Sequence, residues 1–311
     1  MKVIVILNAK AGTAAKGSSD LEPAALREAF AAAGAEAEVR AVPPEEIEDA
    51  LREAVAARPD AVIIGGGDGT VRSAAAVLAG TSIALGVLPL GTLNHFAKDL
   101  NMPPDIKKAV PALVGGEIRA VDIGEVNDEV FINNCSLGSY AEAVRRRDAL
   151  QEEHGHGKWR AMIRASFQTF LRFRRLRLRI ALNGGGAQRV RTPVVVIANN
   201  RYSGHVLNKS MRARLDEGQL WIYTAHVHRH LAALRMALQS LVRRLDAADA
   251  LASEPATEIT IENERGTLPV AVDGELIDLK SPLRFRMRAS ALRVLAPRAE
   301  PAKSAPQPSA K

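Results

Sequence analysis

The apolar run Ala61-Val62-Ile63-Ile64-Gly65 empties directly into Gly66-Gly67-Asp68-Gly69-Thr70, and the residues that follow, Val71 to Leu78, carry a helical pattern. A buried strand, then backbone almost bare of side chains, then a helix start is an arrangement that turns amide N–H groups towards phosphate oxygens. An ordinary strand-to-helix turn needs one glycine or none, and an acid between glycines has no packing role. The spacing lacks the closing Gly-Lys-Ser/Thr of a Walker A loop and is not Gly-x-Gly-x-x-Gly. Neither a P-loop nucleoside triphosphatase nor an ordinary Rossmann dehydrogenase is therefore indicated.

Around this junction the first third of the chain alternates strand-like and helix-like segments. Strands are expected at Lys2–Leu7, Glu36–Val42, Asp60–Ile64 and Ile83–Leu88, and helices at Leu21–Ala33, Glu45–Ala57, Val71–Ala79 and Asp105–Val114. Such a rhythm predicts a parallel sheet covered by helices, with ligands at the carboxyl ends of its strands. The loops Asn8–Ser19, Gly65–Thr70 and Pro89–Phe96 would share that edge.

After about Glu117 the pattern changes. Strand-like runs fall at Arg119–Val126, Glu129–Cys135, Arg175–Leu182, Val190–Ala198, Leu220–His226, Glu258–Ile261, Leu268–Val272 and Leu283–Arg288. Helical insertions are expected near Lys158–Phe173 and Arg229–Leu251. The predicted fold class is α/β, with a parallel nucleotide-binding domain over residues 1–126 and a mainly antiparallel β domain over residues 127–296. Residues 297–311, rich in Pro, Ala, Lys and Ser, read as a disordered tail.

A chain of 311 residues is long enough for two cores, which leave a cleft between them. No apolar stretch is long enough to span a bilayer, and the opening residues read as a first buried strand instead of a signal peptide. The single Cys135 excludes an internal disulfide framework, so cytoplasmic residence is the expectation. Net charge is +7, and between Arg145 and Arg191 thirteen Arg or Lys stand against three acids. With aromatics at 4% and no helix-turn-helix, zinc or RNA-recognition signature, nucleic acid is not the expected partner. Anionic phospholipid headgroups answer the same positive field. The apolar stripe from Trp159 to Phe173, flanked by arginines, reads either as a membrane-surface helix or as one packed on its own domain.

Three further pieces join the glycine loop: Asn8-Ala9-Lys10-Ala11-Gly12 after the first strand, Gly91-Thr92-Leu93-Asn94 after the fourth, and Asp273-Gly274-Glu275 far downstream. With Asn199-Asn200-Arg201-Tyr202-Ser203-Gly204, they resemble, in the right order, the motifs of the soluble diacylglycerol kinase catalytic-domain family, which includes sphingosine and related bacterial lipid kinases. Departures are Ala9 for a usual Pro, His95 for the Asp after Gly-Thr-x-Asn, and Arg72-Ser73 for a common Asn-Glu.

The resemblance implies an ATP-dependent kinase acting on the hydroxyl of diacylglycerol or a related lipid, with ATP and Mg²⁺ as cofactors. Phosphoryl transfer is mostly positioning and charge neutralisation, with a base for the hydroxyl proton. Gly66, Gly67, Gly69 and Thr70 would cradle the phosphates, helped by Asn8, Lys10, Gly12, Gly91, Thr92 and Asn94. Asp68 would hold Mg²⁺. Glu275 is the expected general base with Asp273 assisting or binding metal, one of the pair having a raised pKa from close like charges. A second metal position is implied at Asp216 and Glu217, with Asp122 in the same charge network. The implied setting is peripheral contact with the inner face of the membrane, without nucleic acid; a homodimer is compatible with it. The other readings are a kinase for NAD, whose family shares the glycine loop, and a non-catalytic nucleotide- or lipid-binding regulator.

Overall fold

The computed structural model describes residues 1–11, 21–138, 175–202, 212, 214–225, 251–264 and 266–298. Strands β1 (Lys2–Asn8), β2 (Glu36–Val42), β3 (Ala61–Gly66) and β4 (Ala84–Pro89) form a parallel sheet in the order β2-β1-β3-β4. Strands β1 and β3 are buried over nearly their whole length, as continuous apolar runs are when helices cover both faces. The helices are α1 (Pro23–Ala32), α2 (Ile47–Ala56), α3 (Asp68–Leu78), α4 (His95–Asp99) and α5 (Ile106–Val114). Helix α3 buries Val71, Ala74, Ala75 and Leu78, the spacing of one apolar stripe. It starts three residues earlier than the hydrophobic pattern predicts, so Asp68, Gly69 and Thr70 form its first turn.

The same sheet continues through β16 (Leu283–Ala296), β13 (Glu258–Glu262), β8 (Leu176–Leu182) and β9 (Gln188–Thr192), with β5 (Glu117–Val126) against β16 and β6 (Glu129–Phe131) against β5. A second, antiparallel sheet has the order β12-β11-β10-β7-β14-β15. Its strands are β7 (Asn134–Gly138), β10 (Val194–Asn199), β11 (Leu220–Ala225), β12 (Leu251–Ala256), β14 (Thr267–Val272) and β15 (Glu275–Lys280). A second core, with Phe131, Leu137, Ile197, Val270 and Phe285, lies between the two sheets. The fold is thus a parallel α/β part joined to an antiparallel β sandwich.

Strand β16 belongs to both cores. Leu283, Phe285 and Met287 are in the sandwich, whereas Leu292, Val294, Leu295 and Ala296 pack in the α/β core. Val294 pairs with Leu85 of β4 in parallel, and a register shift between Arg288 and Leu292 re-aims the strand. The expected strand ended at Arg288 because Ser290, at φ +52°, interrupts the alternation; its N–H donates to Asp122 Oδ1 at 2.7 Å.

Two other expected strands divide. The run from Glu129 to Cys135 breaks between β6 and β7, where the amides of Ile132, Asn133 and Asn134 all turn to Asp273. The run from Val190 to Ala198 breaks at Pro193, which has no ladder N–H, and the chain there crosses from one sheet to the other. Strands β12 and β15 were not anticipated: Pro255 weakens the first as a strand signal, and the exposed and half-exposed residues of β15 give no clean alternation. Gly12, the insertion near Lys158–Phe173, residues 229–250 of the other insertion and residues 299–311 lie outside the described residues.

Candidate active site

The carboxyl end of β3 meets the amino end of α3 at a single residue, Gly67, whose extended backbone (φ −89°, ψ −178°) serves as N-cap without any side-chain cap. The first helical hydrogen bond runs from Val71 N–H to Gly67 O at 3.0 Å. The amides of Asp68, Gly69 and Thr70 therefore have no acceptor inside the helix, and the helix dipole adds positive potential at the same point. Opposite them lies the turn after β4: a Cβ on Gly91 would sit 2.5 Å from Gly67 Cα. Two bare backbones thus approach more closely than any side chain allows.

Three loops are tied together at this edge. Asn8 Nδ2 donates to Thr70 Oγ1 at 3.0 Å, while Asn8 Oδ1 accepts from Lys10 N–H at 2.9 Å. Gly66 O accepts from Leu90 N–H at 3.1 Å. Asn94, in the left-handed region, accepts from Gly91 N–H at 2.9 Å and donates to Gly91 O at 2.7 Å. Its amide is a staple of its own loop, which holds the turn that carries Thr92. Thr92 is exposed, with no partner for its hydroxyl among the described residues, and Lys10 is exposed beside Glu45 at 3.9 Å. Asp68 accepts only a long bond from Phe96 N–H, 3.4 Å, on Oδ1.

The acids of the β sandwich reach this edge. Glu275, the first residue of β15, lies over the first turn of α3, where a Cβ on Gly69 would strike its Oε1. Its other oxygen accepts from Arg72 Nη1 at 2.9 Å, and the side chain remains 56% exposed. Arg72 itself is only 12% exposed; it also pairs with Glu129 and donates from Nε to Val130 O at 2.8 Å. One guanidinium thereby fixes the distance between α3, β6 and β15. Gly69→Ala is expected to keep the fold's stability, since only the far end of Glu275 must yield, but to lower turnover by about 10²-fold through that displacement. Melting curves and steady-state kinetics on the purified variant would check both halves.

Asp273 behaves differently from its neighbour. Its Oδ2 accepts from Ile132 N–H at 2.8 Å, and its Oδ1 from Asn133 and Asn134 N–H at 2.8 and 2.9 Å. Burial pushes its carboxyl above the ordinary range, against the opposing pull of those amides and of Arg72. The expected raised pKa falls on Asp273 through burial and not through like charge. With both oxygens accepting backbone N–H groups, Asp273 pins the β6–β7 junction. Asp273→Asn puts an NH₂ group against backbone N–H donors, so unfolding in urea should show a loss of about 1.5–3 kcal/mol. Because the folded-state value is raised, protonated Asp273 favours folding at acid pH, and that contribution is lost as pH rises through the raised value.

The acids of the second expected metal position each have protein partners. Asp122 is buried, with Oδ1 taken by Ser290 N–H at 2.7 Å and Oδ2 by Gly218 N–H at 2.6 Å. Asp216 pairs with Arg214 at 3.0 Å, which holds its carboxyl below the ordinary range, and Glu217 accepts from Arg201 N–H at 3.0 Å. Among the described residues no three acids, histidines or cysteines gather as ligands. Asp122 is the anchor around which the loop of residues 215–218 folds. Asn199 and Asn200 are likewise buried and act as backbone partners: Asn199 Nδ2 donates to Asp122 O and Ile132 O at 2.8 and 3.0 Å.

A charged pair that sequence reasoning missed joins the two halves. Arg212 has a fully buried side chain; Nε donates to Asp99 Oδ2 at 2.7 Å, Nη1 to Ile132 O and Asn199 O at 2.6 and 2.9 Å, and Nη2 to Asn133 Oδ1 at 3.0 Å. Asp99 ends α4, the helix that follows the Gly91–Asn94 turn. That turn is therefore fixed to the same β6–β7 junction that Asp273 holds. No local pattern signals this, since Asp99 and Arg212 stand 113 residues apart in the chain.

An uncapped helix start, a second glycine turn against it and a carboxylate from a separate sandwich meet at one edge of a two-part α/β and β-sandwich protein. Residues 2–126 match the diacylglycerol kinase catalytic domain, and residues 134–296 match the YegS C-terminal NAD kinase beta sandwich-like domain. The chain belongs to this diacylglycerol kinase catalytic-domain family, in its YegS-type form. A probable lipid kinase YegS-like from Klebsiella pneumoniae is 38% identical over 101 residues, 31% of this chain and 34% of that one. A diacylglycerol kinase from Mycobacterium tuberculosis is 35% identical over 139 residues, 43% of this chain and 44% of that one. These alignments span less than half the length of each relative. A putative diacylglycerol kinase from Bacillus anthracis shares the fold over 95% of this chain and 97% of its own, with TM-score 0.71 and 22% identity.

Proposed function

We propose that the protein is an ATP-dependent kinase that phosphorylates the hydroxyl of diacylglycerol or a related lipid at a membrane surface. The observation that carries this reading is Glu275 of the sandwich set against the uncapped start of α3. The amides of Asp68, Gly69 and Thr70 receive phosphate oxygens, with Thr92 supplying a hydroxyl from the facing turn. Glu275 takes the proton of the acceptor hydroxyl as its oxygen bonds to the γ-phosphorus and ADP leaves. Arg72 holds Glu275 in place from α3.

The donor set fits Mg²⁺: Asp68 offers one carboxylate with an oxygen free of protein partners among the described residues, and Mg²⁺ binds by one or two carboxylates plus phosphates while keeping waters. Bound there, the ion would neutralise charge on the phosphates. No helix among the described residues is long and apolar enough to cross a membrane. Radiolabelled ATP offered with mixed lipid vesicles should place label in organic-extractable product. Label in soluble dinucleotide when NAD is offered instead would overturn the lipid reading, and ATP binding without any transfer would favour a regulator.

A further inference from the structure

We propose that the outer face of the β8–β9 hairpin docks the protein on anionic phospholipid bilayers, a proposal that rests on the lipid-kinase reading for its choice of occupant. Along β8, Leu178 and Ile180 point into the sandwich core while Arg177 and Arg179 are exposed; along β9, Arg189 and Arg191 are exposed on either side of Val190. The register sets Arg177 opposite Arg191 and Arg179 opposite Arg189. Like charges placed directly across an antiparallel ladder destabilise it. Among the described residues only Arg179 has a carboxylate in reach, Glu262 at 3.6 Å; Arg177, Arg189 and Arg191 have none.

The cross-strand acid that the ladder sets against this arrangement is Glu262 of β13, directly opposite Arg179. Edge protection accounts for charges on β9, the outermost strand, but not for Arg177 and Arg179 on β8, which is paired on both sides. The array is dense: neighbouring strands lie about 4.8 Å apart and alternate residues about 6.8 Å apart along each strand, and the four arginines line one surface hollow with Glu262 and Glu264. Beyond β13, exposed Arg284 and Arg286 of β16 add positive charge, with Glu258 of β13 directly opposite Arg286. No aromatic side chain stands among the exposed described residues of this face to stack a base, and no helix there offers itself to a groove. On this face guanidinium groups outnumber carboxylates, and Arg177, Arg189 and Arg191 have no carboxylate within ion-pair distance among the described residues; such an excess is complementary to a layer of phosphate esters, where basic residues bind through the surface potential.

Flotation of the full chain with vesicles of phosphatidylcholine, with and without phosphatidylglycerol, tests this. The parent should float only with phosphatidylglycerol vesicles, and less as salt is raised. Arg177→Ser/Arg191→Ser should weaken vesicle binding roughly 30-fold, for two basic residues lost. The same variant should melt no lower than the parent and phosphorylate a water-dispersed short-chain diacylglycerol at the parent's rate. Arg177→Lys/Arg191→Lys should restore most of the vesicle binding. Unchanged flotation of the serine variant overturns the proposal, whether that variant self-associates, as an edge guard would, or loses binding to an added RNA. Arginine-dependent flotation of a protein that phosphorylates no lipid leaves the docking face standing and removes the lipid-kinase reading instead.

Discussion

Replacing Glu275 with Gln is expected to lower turnover by about 10²–10⁴-fold while ATP affinity and the denaturation midpoint stay at the parent's values. The amide keeps the volume that meets Gly69 and the reach towards Arg72 but cannot accept the hydroxyl proton. The exposed pair with Arg72 contributes about 1 kcal/mol at most to stability, since one partner is open to water. Steady-state kinetics with lipid acceptor, alongside nucleotide binding and thermal melting, separate these quantities. A variant with parental kcat removes Glu275 from proton transfer. The contrast with Asp273→Asn is diagnostic: two residues away on the same turn, that change should reduce stability together with activity, because its carboxylate serves three amides and not the substrate.

The largest effect on stability is expected from Asp99→Leu. It leaves the Arg212 guanidinium buried with no counter-charge, and breaking one side of a buried pair costs about 3–5 kcal/mol. Urea denaturation should register that loss. The change should also loosen the Gly91–Asn94 turn, since α4 is its continuation and Asp99 is the link to Ile132 and Asn133 through Arg212. Replacing both partners, as Asp99→Leu with Arg212→Met, should recover most of the stability, because two well-packed apolar groups avoid the desolvation of an unpaired charge. If the single variant unfolds at the parent's urea concentration, the pair is not what joins the halves.

Much of the parallel half was legible because its signals are local. A buried strand running into glycines announces itself in ten residues, and so did the β3–α3 junction. The helix start at Asp68 was hidden by the same glycines, whose lack of apolar side chains conceals the first turn from a hydrophobic pattern. The Asp273-Gly274-Glu275 turn was found by its motif, yet the division of labour within it depends on amides of residues 132–134, which no spacing reveals. Arg72 stood out only as a departure from the family pattern; its partner Glu275 is 203 residues away. Strand ends were misplaced wherever a side chain or a proline took the backbone out of its ladder, as at Pro193 and Ser290. The partners of Asp122, Asp216 and Glu217, backbone amides and Arg214, were not legible in sequence, where acids near a glycine turn look alike.

The strand shared by both cores has a consequence for how the molecule comes into being. On the ribosome, the α/β part emerges first, but β4 lacks the neighbour it will have until residues 283–296 are made. Folding of the early half must therefore wait for, or be revised by, the late arrival of β16. A fragment cut after residue 126 would expose the flank of β4 as an open edge and should aggregate rather than survive as a nucleotide-binding module on its own.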